Sequence, residues 1–326
     1  MSADGAALGA RLRERDLTAA PAALNLLEST APGEAADRAA LLHQVSPAAL
    51  GHEAPGHIIG VTGPPGAGKS MLLSALLSVW RERGLTVAML AVDPSSRRSG
   101  GSLLGDRARI DFDPSDSGVF IRSTAAGDRL GGLAPATRAA AQALAAAFDV
   151  VVIETVGVGQ AETEIAEVAD TVTVVVQPGS GDVLQFFKAG IMEIPDLLVV
   201  TKADLGPLAT RTRDELSAAL RSIGPPPVTR SARVLAVSSL RPPQGIEKLV
   251  AALEEHRSGL DLNRRRLRAR RASALADYTR EHGERGLRDL GGRRAAQAVL
   301  EQQQPGLEVP ALVASLERAA DPATTD

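Results

Sequence analysis

The stretch from residue 57 to residue 80 constrains the fold more than any other part of the chain. It begins with the apolar run HIIGV, continues through the loop GPPGAGKS at residues 63–70, and ends in the helical pattern MLLSALLSVW. The loop matches G-x-x-x-x-G-K-[ST] in full, and a strand before it and a helix after it are the context that this motif requires. The sequence therefore predicts a loop that binds phosphate groups at the tip of a strand.

Each part of this loop has a physical role in holding a nucleotide. Glycines lack a Cβ, so backbone N–H groups can turn inward, and the positive end of the next helix points at the same place. The lysine supplies a cation to the β- and γ-phosphates, and the serine supplies a hydroxyl to Mg²⁺. The predicted nucleotide-binding residues here are Gly63, Pro64, Pro65, Gly66, Ala67, Gly68, Lys69, Ser70 and Met71, and Lys69 is also predicted to be catalytic.

Short apolar runs alternate with helical patterns between about residues 57 and 258. Runs without polar alternation are typical of strands buried on both faces of a parallel sheet. The predicted strands are His57–Val61, Thr86–Val92, Val150–Glu154, Thr171–Val176, Leu197–Val200 and Arg233–Val237. Helices are predicted at Met71–Arg83, Pro135–Ala147, Arg211–Ile223 and Ile246–Arg257. This order predicts an α/β fold with a doubly wound, mainly parallel sheet.

Three carboxylates follow strand ends and are candidates for holding Mg²⁺ or its waters. Glu154 ends an apolar strand and is followed by TVGVGQ, which is typical of a loop that senses the γ-phosphate. Asp93 and Asp106 lie in or beside a glycine-rich loop after another strand, although helix capping by either is an alternative. Glu154 and Asp106 are also predicted to be catalytic. Gln160 is a candidate for positioning water, with a plain surface glutamine as the alternative.

The strand at 197–200 runs into TKAD, which predicts recognition of guanine. GTPases carry [N/T]-K-x-D there, and the aspartate accepts hydrogen bonds from two guanine donors that adenine lacks. Threonine stands where asparagine is usual, so one tether could be lost. The segment VSSL after the next strand fits a loop whose backbone reads the guanine oxygen. The predicted base-binding residues are Thr201, Lys202, Asp204, Ser238, Ser239 and Leu240.

The two ends of the chain differ from this central region. Residues 1–50 are rich in alanine and leucine and predict a helical N-terminal extension, residues 51–260 a P-loop GTPase domain, and residues 261–326 a C-terminal helical arm. Arginines crowd the start of that arm, but acidic residues are interspersed and only Tyr278 could stack on a base. A solvated helix, or an arm that packs on a partner subunit, is therefore favoured over a nucleic-acid surface.

Composition narrows the class of protein further. The net charge of −3 gives no reason to expect a nucleic-acid or membrane partner. There is no cysteine, which excludes disulfides, thiolate metal sites and a cysteine nucleophile. No apolar run is long enough to span a bilayer, and the first residues lack the pattern of a signal peptide. We expect a cytoplasmic protein.

Four segments together carry a resemblance to a known family. They are residues 62–70, VDPSSRRSGGSLLGD at 92–106, ETVGVGQAE at 154–162 and QPGSGDVLQFFKAGIMEIPDLLVVTKAD at 177–204. These segments resemble the MeaB/ArgK-type GTPases, which are associated with methylmalonyl-CoA mutase and belong to a wider group that holds metal-inserting chaperones. The similarity covers about residues 40–260, and the family also has helical extensions at both ends.

The resemblance implies a GTP-hydrolysing chaperone for an adenosylcobalamin-dependent acyl-CoA mutase. Such proteins bind GTP or GDP with Mg²⁺, gate the loading of the mutase cofactor, protect the mutase and form homodimers through the C-terminal arm. An additional switch loop of the family falls on residues 178–188, so Asp182 and Lys188 join Gln160 as candidate switch or partner residues. Phe186 and Phe187 depart from the family pattern and mark either a partner surface or core.

Two other functions stay open at this point. A nickel-inserting GTPase of the wider group usually needs Cys or His ligands, and only His52 and His57 lie near each other in the sequence. A metabolite kinase acting on arginine or ornithine would need an acceptor pocket and a catalytic base, which no sequence feature specifies.

Overall fold

A computed structural model describes residues 4–93, 110–125, 133–155, 164–179, 195–222 and 233–321. The chain divides into two compact units. One contains the described residues within His57–Ala134 and Phe148–Leu260. The other contains those within Met1–Gly56, Pro135–Ala147 and Asp261–Asp326. We call them the sheet unit and the helical unit. The domain boundaries given above stay a prediction.

The sheet unit is built on seven parallel strands. They are β1 (His57–Thr62), β2 (Val87–Asp93), β3 (Val119–Ala125), β4 (Val150–Thr155), β5 (Thr171–Val176), β6 (Leu197–Val200) and β7 (Arg233–Ala236). Their spatial order is β3-β2-β4-β1-β5-β6-β7. Every residue of β1, β5 and β6 is buried, as expected for strands covered on both faces. The predicted doubly wound parallel sheet is confirmed.

Strand β3 was absent from the prediction. It forms the edge of the sheet and pairs in parallel with β2, from Val87 opposite Val119 to Asp93 opposite Ala125. Its sequence, VFIRSTA, carries polar residues at three consecutive positions. An edge strand has a neighbour on one side only, so it does not need the continuous apolar run that identifies the central strands.

Among the described residues of the sheet unit, three helices contribute to its core or support the ligand edge. They are α5 (Lys69–Glu82), α7 (Pro207–Ser222) and α8 (Ile246–Ser258). Leu72, Leu76 and Trp80 of α5 are at most 2% exposed and pack in the core that β1 and β4 line. Helix α5 begins two residues earlier than predicted, so the lysine and serine of the phosphate loop form its first turn. A short 3-10 turn at Ala203–Leu205 follows β6.

The helical unit contains α6 (Pro135–Ala147) together with helices from the N-terminal and C-terminal regions of the chain. Its other helices are α1 (Gly5–Arg13), α2 (Ala20–Glu28), α3 (Ala35–Gln44), α4 (Pro47–Leu50), α9 (Leu262–Asp289), α10 (Arg293–Glu301) and α11 (Val309–Ala320). Helices α1 and α3 approach very closely. A Cβ added to Gly5 would lie 1.8 Å from the carbonyl oxygen of Asp37, so the contact needs glycine at that position.

Buried arginines explain part of the arginine-rich start of α9. Arg266 donates to the carbonyl oxygens of Ala54 and Gly56 at 2.6 and 2.5 Å. Arg270 donates to both carboxylate oxygens of Glu53 at 2.8 and 2.7 Å. These guanidinium groups therefore bind the chain's own backbone and acids within the helical unit. In the described part of the chain, no helix combines the length and the hydropathy needed to cross a membrane.

Candidate nucleotide-binding site

The phosphate loop joins β1 to α5 through glycines in conformations that other residues rarely adopt. Gly63, Gly66 and Gly68 have φ angles of 148°, 76° and 87°. A Cβ on Gly63 would lie 2.1 Å from the carbonyl oxygen of Val175, so the loop passes directly against β5. Gly68 immediately precedes α5, and the positive end of that helix therefore meets the loop. This geometry provides a cradle for an anion.

Lys69 closes this cradle from within. Its Nζ donates to the carbonyl oxygens of Gly63 at 2.9 Å and Pro64 at 3.2 Å, and the residue is 7% exposed. The ammonium group is thus already positioned at the loop. A phosphate group there would offer stronger, charged acceptors than these two carbonyl groups.

The strand ends bring Glu154 and Asp93 to the same edge of the sheet as the phosphate loop. Glu154 is the next-to-last residue of β4, beside Val61 of β1 and Ala91 of β2, and it is half-buried. Asp93 is the last residue of β2, although the structure describes its backbone and not its side chain. Because parallel strands end together, these positions lie where ligands bind in such sheets.

The oxygen donors at this edge fit Mg²⁺. Ser70 supplies a hydroxyl from the first turn of α5 and Glu154 supplies a carboxylate, which are the hard ligands that this ion prefers. Four other predicted residues lie outside the described part of the chain: Asp106, Gln160, Asp182 and Lys188.

Thr201 connects the predicted base-binding loop to the phosphate loop. Its hydroxyl group lies within hydrogen-bonding distance of the carbonyl oxygens of Ala67, at 2.6 Å, and Val176, at 3.2 Å. The side chain is 4% exposed, and the backbone N–H donates to Val176 at 3.0 Å. Threonine in place of asparagine therefore retains a direct tether between the two loops.

Asp204 and Ser238, which are both predicted to bind the base, form a hydrogen bond with each other. Ser238 is buried, and its Oγ donates to Asp204 Oδ1 at 2.6 Å. Asp204 is exposed, so a carboxylate oriented by the serine faces a position that a ligand can reach. The N–H of Leu240 donates to the same serine oxygen at 3.3 Å, and Ala203 N–H donates to Val237 at 2.9 Å. These bonds connect the two loops that are predicted to bind the base.

Gln177 contacts the candidate site, and the sequence interpretation did not include it. It directly follows β5, and its Oε1 accepts a hydrogen bond from Lys202 Nζ at 2.6 Å. Lys202 Nζ also lies 3.5 Å from the carbonyl oxygen of Gly66. The sequence does place a polar residue directly after β5. Because the neighbouring parallel strands β5 and β6 end side by side, this residue could have been expected near Lys202.

His52 and His57, which were considered only for the alternative nickel-inserting function, have other contacts. His57 is buried and its Nε2 lies 2.7 Å from Thr171 Oγ1, which lies 2.8 Å from His256 Nδ1. His256 Nε2 in turn lies 3.3 Å from Asp196 Oδ1. This chain of groups lies at the start of β1 and β5, the edge opposite the phosphate loop. His52 is exposed, with Nδ1 2.7 Å from the carbonyl oxygen of Glu53.

Comparison with known proteins finds relatives along most of the chain. The sequence profile of the family described as "Methylmalonyl Co-A mutase-associated GTPase MeaB" matches residues 5–287. A Mycobacterium tuberculosis protein named as a GTPase is 39% identical over 278 residues, which cover 83% of this chain and 80% of that protein. A Pyrococcus abyssi protein named as a GTPase is 46% identical over 224 residues, covering 66% of this chain and 67% of that protein. A crystal structure described as LAO/AO transport system kinase covers 98% of both chains, with 27% identity and a TM-score of 0.67.

Proposed function

The chain belongs to the MeaB family of GTPases, as its motifs predicted, and from this premise we propose that it is a chaperone of an adenosylcobalamin-dependent acyl-CoA mutase. The observation that carries the proposal is the extent of the family match. It runs over residues 5–287 and so includes most of the helical unit as well as the sheet unit. The family description names association with methylmalonyl-CoA mutase, and a mutase of this type is the proposed client.

The bound ligand in this proposal is GTP or GDP with Mg²⁺. The phosphate groups lie in the loop at residues 63–70, where Lys69 neutralises charge on the β- and γ-phosphates. Ser70 and Glu154, with Asp93 or Asp106, hold the ion or its waters. When bound, Mg²⁺ supplies neutralisation of the charge that builds up on the phosphate oxygens. Gln160 is proposed to position the attacking water.

Selection of guanine over adenine is assigned to the loops after β6 and β7. Asp204, oriented by Ser238, accepts from the ring N–H and the exocyclic amine of guanine. The stem of Lys202 covers the base, and the backbone of Ser239 and Leu240 reads the guanine oxygen. Adenine would leave the carboxylate without matching donors, which costs binding free energy.

Communication with the client is proposed to depend on loops whose order changes with the γ-phosphate. Residues 94–106, 155–162 and 178–188 are the proposed segments, and Asp182 and Lys188 fall in the last of them. The C-terminal arm is proposed to form the contact of a homodimer. These roles follow from the family resemblance of the sequence.

The first test is GTP turnover by the purified chain, alone and with a purified adenosylcobalamin-dependent methylmalonyl-CoA mutase, with ATP as the control nucleotide. We expect slow turnover of GTP, faster turnover with the mutase, and no turnover of ATP. Unchanged GTP turnover with the mutase would reject this client. Turnover of ATP in place of GTP would reject the assignment of Asp204. A Lys69→Ala variant that still hydrolyses GTP would reject the active site.

A second candidate function is phosphate transfer to a metabolite, since the similar crystal structure is described as a transport system kinase. The same reactions, run with γ-labelled GTP or ATP and with arginine or ornithine, separate the two functions. Labelled inorganic phosphate supports the hydrolase. A labelled amino acid supports the kinase.

A further inference from the structure

Lys202 is an exposed cation that the structure nevertheless holds in one place. Its backbone has a left-handed φ of 53°, and its Nζ donates to Gln177 Oε1 at 2.6 Å. The same ammonium group lies 3.5 Å from the carbonyl oxygen of Gly66 in the phosphate loop. The Gln177 oxygen is thus the closer of the two oxygen atoms that contact the lysine. A hydrogen bond from a charged donor such as this ammonium group is stronger than a neutral one.

The backbone around Gln177 is fixed on both sides. It follows β5, whose Val176 lies opposite Val200 of β6 and accepts a hydrogen bond from the N–H of Thr201 at 3.0 Å. Two residues later, the N–H of Gly179 donates to the hydroxyl of Thr212 on α7 at 3.4 Å. The amide group of Gln177 thus extends from backbone that is hydrogen-bonded on both sides.

We propose that Gln177 is a positioning residue for guanine nucleotides, which holds Lys202 so that the lysine stem covers the base. The proposal rests on the proposed function, because it requires a guanine nucleotide in this site. A lysine that is already held loses less rotamer freedom when the ligand binds, so affinity is higher. The lysine stem contacts the base and not the γ-phosphate. The affinities for GDP and for GTP therefore depend equally on the position of the lysine.

The test compares two substitutions at this position in the full chain. Gln177→Met keeps the length of the side chain and removes the acceptor, whereas Gln177→Glu keeps an acceptor oxygen. We expect Gln177→Met to weaken GDP and GTP binding by about tenfold each, which is the effect of one charge-assisted hydrogen bond. The KM for GTP rises by a similar factor while kcat changes less. We expect Gln177→Glu to restore affinity.

Two control variants and one unfolding measurement separate positioning from a general loss of structure. Gln297→Met, at an exposed position of α10, makes the same chemical change in the helical unit. In a Lys202→Met background, Gln177→Met should cause no further loss, because the group it positions is absent. A Gln177→Met protein should also unfold thermally at the temperature of the unaltered chain.

Three results would overturn the proposal. They are equal affinities of the Gln177→Met and unaltered proteins, a loss confined to GTP, and an undiminished effect in the Lys202→Met background. If the unaltered chain binds no guanine nucleotide, the proposed function itself fails and this proposal fails with it. Binding by the unaltered chain with no effect of Gln177→Met rejects the role of Gln177 alone.

Discussion

The hydroxyl of Thr201 lies 2.6 Å from the carbonyl oxygen of Ala67, a residue 134 positions earlier in the chain. This contact joins the predicted base-binding loop to the predicted phosphate loop. Both residues are buried, so water cannot take the place of either hydrogen-bonding partner. This hydrogen bond therefore contributes to holding the two loops in their relative position.

Replacing Thr201 by valine removes this bond while it keeps the shape of the side chain. A buried carbonyl group left without its partner costs about 1–3 kcal/mol, so we expect lower thermal stability and about tenfold weaker GTP binding. Unfolding can be followed by the fluorescence of Trp80, the one tryptophan of the chain. Thr279→Val, which removes a hydroxyl bonded to Leu275 in the helical unit, is the matched control. GTP affinity equal to that of the unaltered chain would show that the tether is dispensable.

Replacing Asp204 by alanine should abolish the preference for guanine. The variant loses the acceptor that matches two guanine donors, so we expect GTP affinity to fall about a hundredfold while the weak affinity for ATP stays the same. Competition between the two nucleotides for a fluorescent GDP analogue measures both. Asp214→Ala, an exposed acid bonded to Arg213 on α7, serves as the control. A retained GTP preference would reject the role of Asp204.

The central strands could be predicted because each is recognisable from its own sequence. Each of β1, β4, β5 and β6 is a mostly apolar run that is almost entirely buried, and such runs can be recognised without knowing the neighbouring strands. The edge strand β3 has one neighbour and a polar half, so its pairing depends on β2 and not on its own sequence. The start of α5 was predicted at Met71 and lies at Lys69, because the last two residues of the phosphate loop belong to the first helical turn.

The site divides in the same way between what the sequence specifies and what the fold creates. The phosphate loop and the TKAD segment are contiguous motifs, and the sequence identifies them directly. The partners of Thr201 and Lys202 are a backbone carbonyl group and an amide side chain distant in the chain. Arg266 and Arg270 likewise looked like surface charges, because their acceptors lie more than two hundred residues earlier. Contacts of this kind depend on the tertiary fold.

Replacing Gly5 by alanine tests the close approach of α1 and α3. The new Cβ would lie 1.8 Å from the carbonyl oxygen of Asp37, a backbone atom that cannot simply rotate away. Overpacking of this kind costs about 1–3 kcal/mol, so we expect a lower melting temperature by calorimetry. At Gly33 an added Cβ meets nothing within 4 Å, and Gly33→Ala should have little effect. Equal melting temperatures for the two variants would contradict the observed helix contact.

The ion pair between Arg81 and Asp116 should make the stability of the sheet unit depend on pH. Two guanidinium hydrogen bonds, at 2.7 and 2.8 Å, lower the pKa of Asp116 below its ordinary value, and the N–H of Gly118 lowers it further. A carboxylate with a depressed folded pKa contributes stability above its unfolded pKa. That stability is lost as the pH falls through the folded pKa.

Asp116→Asn should therefore lower the free energy of unfolding at pH 7 by about 1 kcal/mol, a modest value because the pair is partly exposed. The difference from the unaltered chain should shrink near pH 3. Urea unfolding followed by Trp80 fluorescence at both pH values measures it. Asp111→Asn, at an exposed position of the same connection, controls for the loss of a charge. A difference that is the same at both pH values would rule out the charge of Asp116 as the cause.

Ionisation of Tyr278 reports on the helical unit alone, because it is the only tyrosine in the chain. Burial raises the pKa of its phenol above the ordinary value, and the negative charges of Asp289 and Glu317 raise this pKa further. Below an ordinary pKa of about 10 both folded and unfolded states keep the proton, and the contribution to stability is complete. As the pH rises through the folded pKa the unfolded state loses its proton first, and this stability is lost.

Absorbance at 295 nm should then show tyrosine ionisation at higher pH in the folded chain than in urea. We expect ionisation to coincide with loss of helical circular dichroism, since the buried phenolate is disfavoured in the folded unit. Tyr278→Phe removes the titration and also the hydrogen bond to the carbonyl oxygen of Gly286 at 3.3 Å. The variant should keep its helical signal to higher pH, relative to its own value at pH 7, than the unaltered chain does. Ionisation at the same pH in the folded chain and in urea would mean that the phenol is not buried as described.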